Sequence, residues 1–141
     1  MDLECQSMEK ELPIAGFNVE KPAVFAWLGV VPYLTYEAFR ATIRFVAQRP
    51  IGSGLILDYG QPREALPLHE QLAHDSLASR VALAGEPFRL FFRPEEMLRE
   101  LDGFVAVEDL GTAEINARYF DGRPDELRVR GSAGRMLSAW L

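Results

Sequence analysis

The sequence predicts an α/β domain, and three consecutive features carry that prediction. Val24 to Val31 is almost wholly apolar and shows no two-residue alternation, the pattern of a strand covered on both faces in a parallel sheet. A helix is the competing reading of a short apolar run, but Gly29, Pro32 and the β-branched and aromatic residues favour the strand. Thr35 to Gln48 then reads as an amphipathic helix, and Gly54 to Tyr59 as a second strand. Strand, helix and strand in this succession make a βαβ unit, with parallel strands and a right-handed crossover.

Each element has a local cause. Asp2 to Ala15 is polar with apolar residues at Leu3, Met8 and Leu12, and predicts a short helix from about Ser7 that Pro13 ends. Gly16-Phe17-Asn18 is a turn, and Lys21-Pro22 breaks the chain before the first strand. Thr35 is placed to cap the following helix, and Glu37 suits the positive end of its dipole. Phe39, Ile43 and Val46 share one face of that helix, opposite Arg40, Arg44 and Gln48, and Pro50 and Gly52 close it.

Pro67 to Gly85 predicts a long helix without a single apolar stripe. Leu68 and Leu72 lie on one side, with Leu77, Val81 and Ala84 nearly opposite. Either the helix breaks near Asp75 or both faces are covered. Phe88, Phe91 and Phe92 form an aromatic patch, read as core packing or as the wall of an apolar ligand pocket. Pro94 suits a first helical position, Glu95 and Glu96 complement that N-terminus, and Gly103 suits the other end. Phe104 to Leu110 predicts a third strand, Thr112 to Phe120 a short helix, Asp121 to Gly131 a polar loop and Arg135 to Leu141 a final strand.

The 141 residues suit one domain, and 48% hydrophobic with 26% charged residues is ordinary for a water-soluble protein. A net charge of −6 argues against a nucleic-acid partner, and Arg123, Arg128, Arg130 and Arg135 read as charges on a solvated loop. The single cysteine, Cys5, excludes an internal disulfide. Neither a signal peptide nor a membrane span is visible, so a cytoplasmic location is expected. His69 and His74 are five residues apart, on different helix faces, so they cannot chelate one ion and no metal site is expected. Ligands of open α/β sheets bind beyond the carboxyl ends of the strands, which makes Tyr33 and Asp58 the candidate site edge.

The segments Phe25–Thr35, Phe45–Ala47, Asp58–Tyr59, Gly85–Phe88, Val107–Gly111 and Asn116–Phe120 together resemble the leucine carboxyl methyltransferase-like family of S-adenosylmethionine-dependent O-methyltransferases. The resemblance implies the C-terminal half of a class I, Rossmann-like methyltransferase sheet, strands four to seven of seven. The last strand would insert antiparallel between the two before it, beside Gly54–Tyr59. The half carrying the Gly-rich cofactor loop would lie outside this chain. By resemblance, S-adenosyl-L-methionine is the cofactor, with Asp2, Leu3, Trp27, Leu28, Gly29 and Tyr33 beside it. Asp58, Tyr59, Phe88, Phe92 and Arg118 would lie towards the substrate. No catalytic residue is assigned. Many relatives carry Glu where this chain has Leu28, which removes a polar contact. Two expectations follow: a methyltransferase inactive without a complementing N-terminal half, or a non-catalytic module that self-associates through the open sheet edge as a homodimer.

Overall fold

The computed structural model describes residues 2–141. The element order is α1 (Met8–Ile14), β1 (Val24–Trp27), α2 (Tyr36–Ala47), β2 (Gly54–Gly60), α3 (Leu68–Leu83), α4 (Pro94–Glu100), β3 (Ala106–Leu110), α5 (Thr112–Tyr119) and β4 (Gly134–Trp140), with 3-10 turns at Val31–Tyr33 and Arg63–Ala65. The mixed α/β architecture is built on one four-stranded sheet, ordered β1-β2-β4-β3. β1 and β2 are parallel, and β4 runs antiparallel to both β2 and β3 between which it sits.

Pairing sorts the side chains onto two faces. Phe25, Trp27, Leu55, Leu57, Tyr59, Leu137 and Ala139 share one face, and all but Phe25 are buried there. That face holds the core. Phe39 of α2 stacks on Trp27 at 5.8 Å between ring centroids and meets Phe92 at 4.9 Å. Ile43, Val46 and Met97 complete the cluster. The opposite face carries Val24, Ala26, Ile56, Asp58, Met136, Ser138 and Trp140, none of which is fully buried. α5 covers only its β3–β4 end, where Leu110 and Ile115 are buried outside the main cluster. A Cβ on Gly54 would overlap the indole of Trp140 from the neighbouring strand, so glycine is required there.

α2 forms as its sequence dictates. Thr35 Oγ1 accepts from the Ala38 N–H at 3.3 Å, and the buried face includes Phe39, Ile43 and Val46. α1 runs one residue past Pro13 and ends at Ile14. α3 is continuous from Leu68 to Leu83, so no break occurs near Asp75. It has no buried residue, and Leu68, Leu72 and Leu83 are 77%, 69% and 90% exposed. Both of its apolar sides face outward.

One expectation fails clearly. The apolar run from Val24 to Val31 is not a single buried strand: β1 ends at Trp27, Val24 is 56% exposed and Leu28 52%. Gly29 takes φ +69°, which turns the chain out of the extended conformation, and Val31 is then buried from a 3-10 turn. β1 is also an edge strand. The Gly54 N–H donates to the Ala23 carbonyl, so alternation points the Phe25 and Trp27 backbone groups at β2 and those of Val24 and Ala26 outward.

The core argument yields a stability prediction. Phe39→Ala removes a ring held between Trp27 and Phe92 and should cost about 3–5 kcal/mol in urea unfolding. Leu72→Ala on α3 should stay within about 0.5 kcal/mol of the parent. Equal losses for the two would mean that α3 is packed in solution.

Candidate functional site

The carboxyl ends of the two parallel strands meet at one polar contact. Asp58, near the end of β2, points to the incompletely covered face, and its Oδ1 accepts the Gly29 N–H at 2.6 Å. The Gly29 turn directly follows β1, so a carboxylate on one strand fixes the backbone leaving its neighbour. The 3-10 turn that follows places Tyr33 over this end. The Pro32 carbonyl accepts from Arg89 N at 2.7 Å and Leu90 N at 3.3 Å, and the Gly60 carbonyl accepts from Phe92 N at 3.0 Å. The segment after α3 is thereby stitched to the ends of both strands. An aromatic row results, with Tyr33 to Phe88 at 5.4 Å, Phe88 to Phe91 at 6.0 Å and Phe91 to His74 at 5.3 Å.

Beside this row lies an open cleft of about 430 Å³, lined by Glu4, Gly29, Tyr33, Glu86 and Arg89 among others. Two carboxylates and one guanidinium give it a net negative lining, which suits a cationic ligand. A position 29 side chain would meet nothing within 4 Å, so the Gly29 turn faces open space. A second groove of about 440 Å³ follows β1, between Val24–Trp27 and the apolar residues Leu3, Met8, Leu12 and Phe17. Its apolar lining suits a flat ring or a further strand.

The predicted site residues divide into groups. Leu3 and Trp27 line the groove, and Gly29 and Tyr33 line the cleft. Leu28 is exposed between them, and Asp2 is exposed with its N–H donating to Gln6 Oε1 at 2.7 Å. Tyr33 and Phe88 come together, as do Gly29 and Asp58. Tyr59 and Phe92 are 2% and 5% exposed and belong to the core face. Arg118 is held bidentate by Glu108, both contacts 2.6 Å, and that pair lies on the exposed surface between α5 and β3. Sequence reasoning missed Glu4 and Arg89, which lie in irregular segments where no periodicity marks them. Glu86 stood inside a family-like segment and could have been found there.

Tyr59 anchors a polar cluster across three strands. Its hydroxyl donates to Asp109 Oδ2 at 2.9 Å, and Arg135 Nε donates to the same carboxylate at 3.1 Å. Burial, reinforced by the Asp109 contact, pushes the Tyr59 hydroxyl well above the ordinary tyrosine value. Among the described residues, no group of three or more His, Cys, Asp or Glu could hold a metal ion, and no helix is long and apolar enough to cross a membrane.

A family model described as leucine carboxyl methyltransferase matches residues 1–47. A Bacillus subtilis (strain 168) protein named "Putative S-adenosyl-L-methionine-dependent methyltransferase YktD" is 29% identical over 115 residues, covering 79% of this chain and 38% of its own length. The chain is similar to S-adenosyl-L-methionine-dependent methyltransferases of the leucine carboxyl methyltransferase kind over these residues. Two crystal structures share the fold. One is a DUF574 family protein from Streptomyces avermitilis, with TM-score 0.55, 18% identity, and coverage of 96% of this chain and 53% of that one. The other is described as a possible exported protein from Bordetella parapertussis, with TM-score 0.55, 11% identity, and coverage of 87% and 41%. The chain therefore spans about half or less of the length of these relatives. The mixed four-stranded sheet is consistent with part of a Rossmann-like fold.

Two predictions follow from this geometry. Asp58→Ala removes the acceptor of the Gly29 N–H, a charge-assisted bond worth about 1.5–3 kcal/mol. Hydrogen exchange at Gly29 should accelerate about tenfold or more, while Leu55 and Leu57 in β2 stay protected. The raised Tyr59 hydroxyl contributes stability that is intact below the unfolded tyrosine value of 10.0 and is lost as pH climbs beyond it, because the unfolded chain releases the proton first. Unfolding free energy should fall as pH rises above 10, and Tyr59→Phe should flatten that fall.

Proposed function

We propose that this chain supplies one wall of the cofactor site of an S-adenosylmethionine-dependent O-methyltransferase. The wall is complete only when a further polypeptide segment closes the β1 edge. The observation that carries the reading is the Asp58–Gly29 bond at the carboxyl ends of two parallel strands, beside an acidic cleft and an apolar groove. The fit to the cofactor is partial. S-adenosylmethionine bears a sulfonium cation and a flat purine, and it supplies an electrophilic methyl group when bound. Glu4 and Glu86 would complement the positive charge, Tyr33 would bound the cleft, and Leu3, Ala26 and Trp27 would flank the purine. Among the described residues, no glycine-rich turn leads from a strand into a helix to hold the amino-acid end.

Magnitudes decide what the wall can do alone. A cofactor of roughly 27 heavy atoms at about −0.3 kcal/mol each gives about −8 kcal/mol, near micromolar. Half of those contacts leaves about −4 kcal/mol, near millimolar. Transfer to a carboxylate or hydroxyl oxygen follows from the family reading, and this chain would be inactive by itself. A second reading is a non-catalytic module that pairs with another copy through β1. The outward-facing backbone groups of Val24 and Ala26, beside an apolar groove, favour it.

Calorimetric titration with S-adenosylhomocysteine, with light scattering for mass, tests both readings. The wall reading expects a monomer with a dissociation constant of about a millimolar or weaker. Micromolar binding to a monomer would overturn it. A stable dimer that gives no heat would favour the second reading.

A further inference from the structure

A cavity of about 560 Å³ opens between α5, the start of β4 and the segment joining them, on the sheet face away from the main core. Its lining is mostly apolar: Ile115 and Tyr119 from α5 and Phe120 just after it, with Val129 and Met136 across from them. Arg130 stands among these residues, exposed and without an ion pair or side-chain hydrogen bond among the described residues. The other basic lining group, Arg135, is already held by Asp109. Asp58 also borders the cavity, but its carboxylate accepts the Gly29 N–H. An apolar chamber with one uncommitted guanidinium is the pattern of a site for a molecule with an apolar body and a negative head.

The wall carrying Arg130 is irregular, yet it is pinned along its length. Asn116 of α5 clasps Val129 from both sides: its Nδ2 donates to the Val129 carbonyl at 2.9 Å, and its Oδ1 accepts the Val129 N–H at 2.8 Å. The Thr112 hydroxyl donates to the Gly131 carbonyl. Glu70 of α3 accepts both the N–H and the hydroxyl of Ser132, at 2.7 and 2.8 Å, and those donors hold its carboxyl below the usual range. Gln61 Nε2 donates to the Ser132 carbonyl at 2.6 Å. α5, α3 and Gln61 thus fix Val129, Gly131 and Ser132, on both sides of Arg130, in a segment with no regular structure. Such bracing keeps the cavity open before any ligand arrives and lowers the ordering cost of binding.

We propose that this cavity is a preformed binding site for a small amphipathic anion, its apolar body among Ile115, Tyr119, Phe120, Val129 and Met136 and its head on Arg130. The site does not rest on the methyltransferase reading: Arg130 and the apolar walls lie outside the cleft at Gly29, and the two meet only at Asp58. The head is a carboxylate or a phosphate, either of which a guanidinium can hold through two hydrogen bonds.

Titration of the full chain with octanoate, octyl phosphate and octan-1-ol, followed by calorimetry and by amide NMR shifts, tests the proposal. At least one of the two anions should saturate below roughly a millimolar and shift the Asn116 and Val129 amides, with octan-1-ol weaker than that anion. The tighter of the two identifies the head group. Arg130→Ala lies on an exposed residue and should weaken anion binding about tenfold, with Arg130→Lys restoring part of it and octan-1-ol unaffected. Val129→Trp, checked for folding by thermal unfolding, should abolish all binding by filling the chamber. Three results would each overturn the proposal: no saturable binding of either anion, octan-1-ol binding as tightly as the tighter anion, or anion binding that survives Arg130→Ala and is lost instead in Leu72→Lys on α3.

Discussion

The structure depends on the return of the last strand into the middle of the sheet. β4 makes a seven-residue antiparallel register with β2 and a five-residue register with β3, so β3 and α5 reach the rest of the protein mainly through it. The same insertion sets Leu137 and Ala139 into the core beside Leu57 and Leu55. It also carries Arg135 to the Asp109 carboxylate that Tyr59 shares, joining three strands by one polar cluster. A pairing between residues this far apart in sequence is costly to close, and everything at the β3 end waits on it.

Several elements were legible because their patterns are local. The face of α2 follows from Phe39, Ile43 and Val46 at helical spacing, and the Thr35 cap from the residue type ahead of the run. The parallel pairing of β1 and β2 follows from the helix between them. The antiparallel β4 came from family resemblance, since nothing in Arg135–Leu141 itself names its neighbours. β1 was misjudged because composition cannot see a turn: Leu28 to Val31 is as apolar as the strand, but Gly29 and Asp58 fold it away. On α3 the sequence offered a break near Asp75 or cover on both faces; the helix is instead continuous with its apolar residues facing outward.

The candidate site was half legible. Tyr33 and Asp58 were placed by the general rule about strand carboxyl ends; Tyr33 lines the cleft there, and Asp58 holds the Gly29 turn beside it. Tyr59 was grouped with Asp58 although adjacent strand residues point to opposite faces, so the two-residue period already assigned it to the other side. Glu4, Arg89 and Arg130 lie in irregular segments, where only three-dimensional closure brings them to a cavity. The polar loop after α5 read as solvated charge, and its bracing by Asn116, Thr112 and Glu70 rests on contacts that no spacing rule encodes.

What remains is a sheet with one finished face and an open edge at β1. Phe25 and Trp27 are turned inward while Val24 and Ala26 carry exposed side chains and outward backbone groups, beside a groove lined by Leu3, Met8 and Leu12. An edge of this kind calls for a partner strand, and the reading of the chain as one wall of a larger site rests on it. Residue-resolved hydrogen exchange across β1, at a concentration where scattering gives the monomer mass, tests this most directly. The account predicts alternation, with Phe25 and Trp27 protected and Val24 and Ala26 exchanging at nearly the unfolded rate. Uniform protection of all four amides would contradict it, because the edge would then already be paired within the chain.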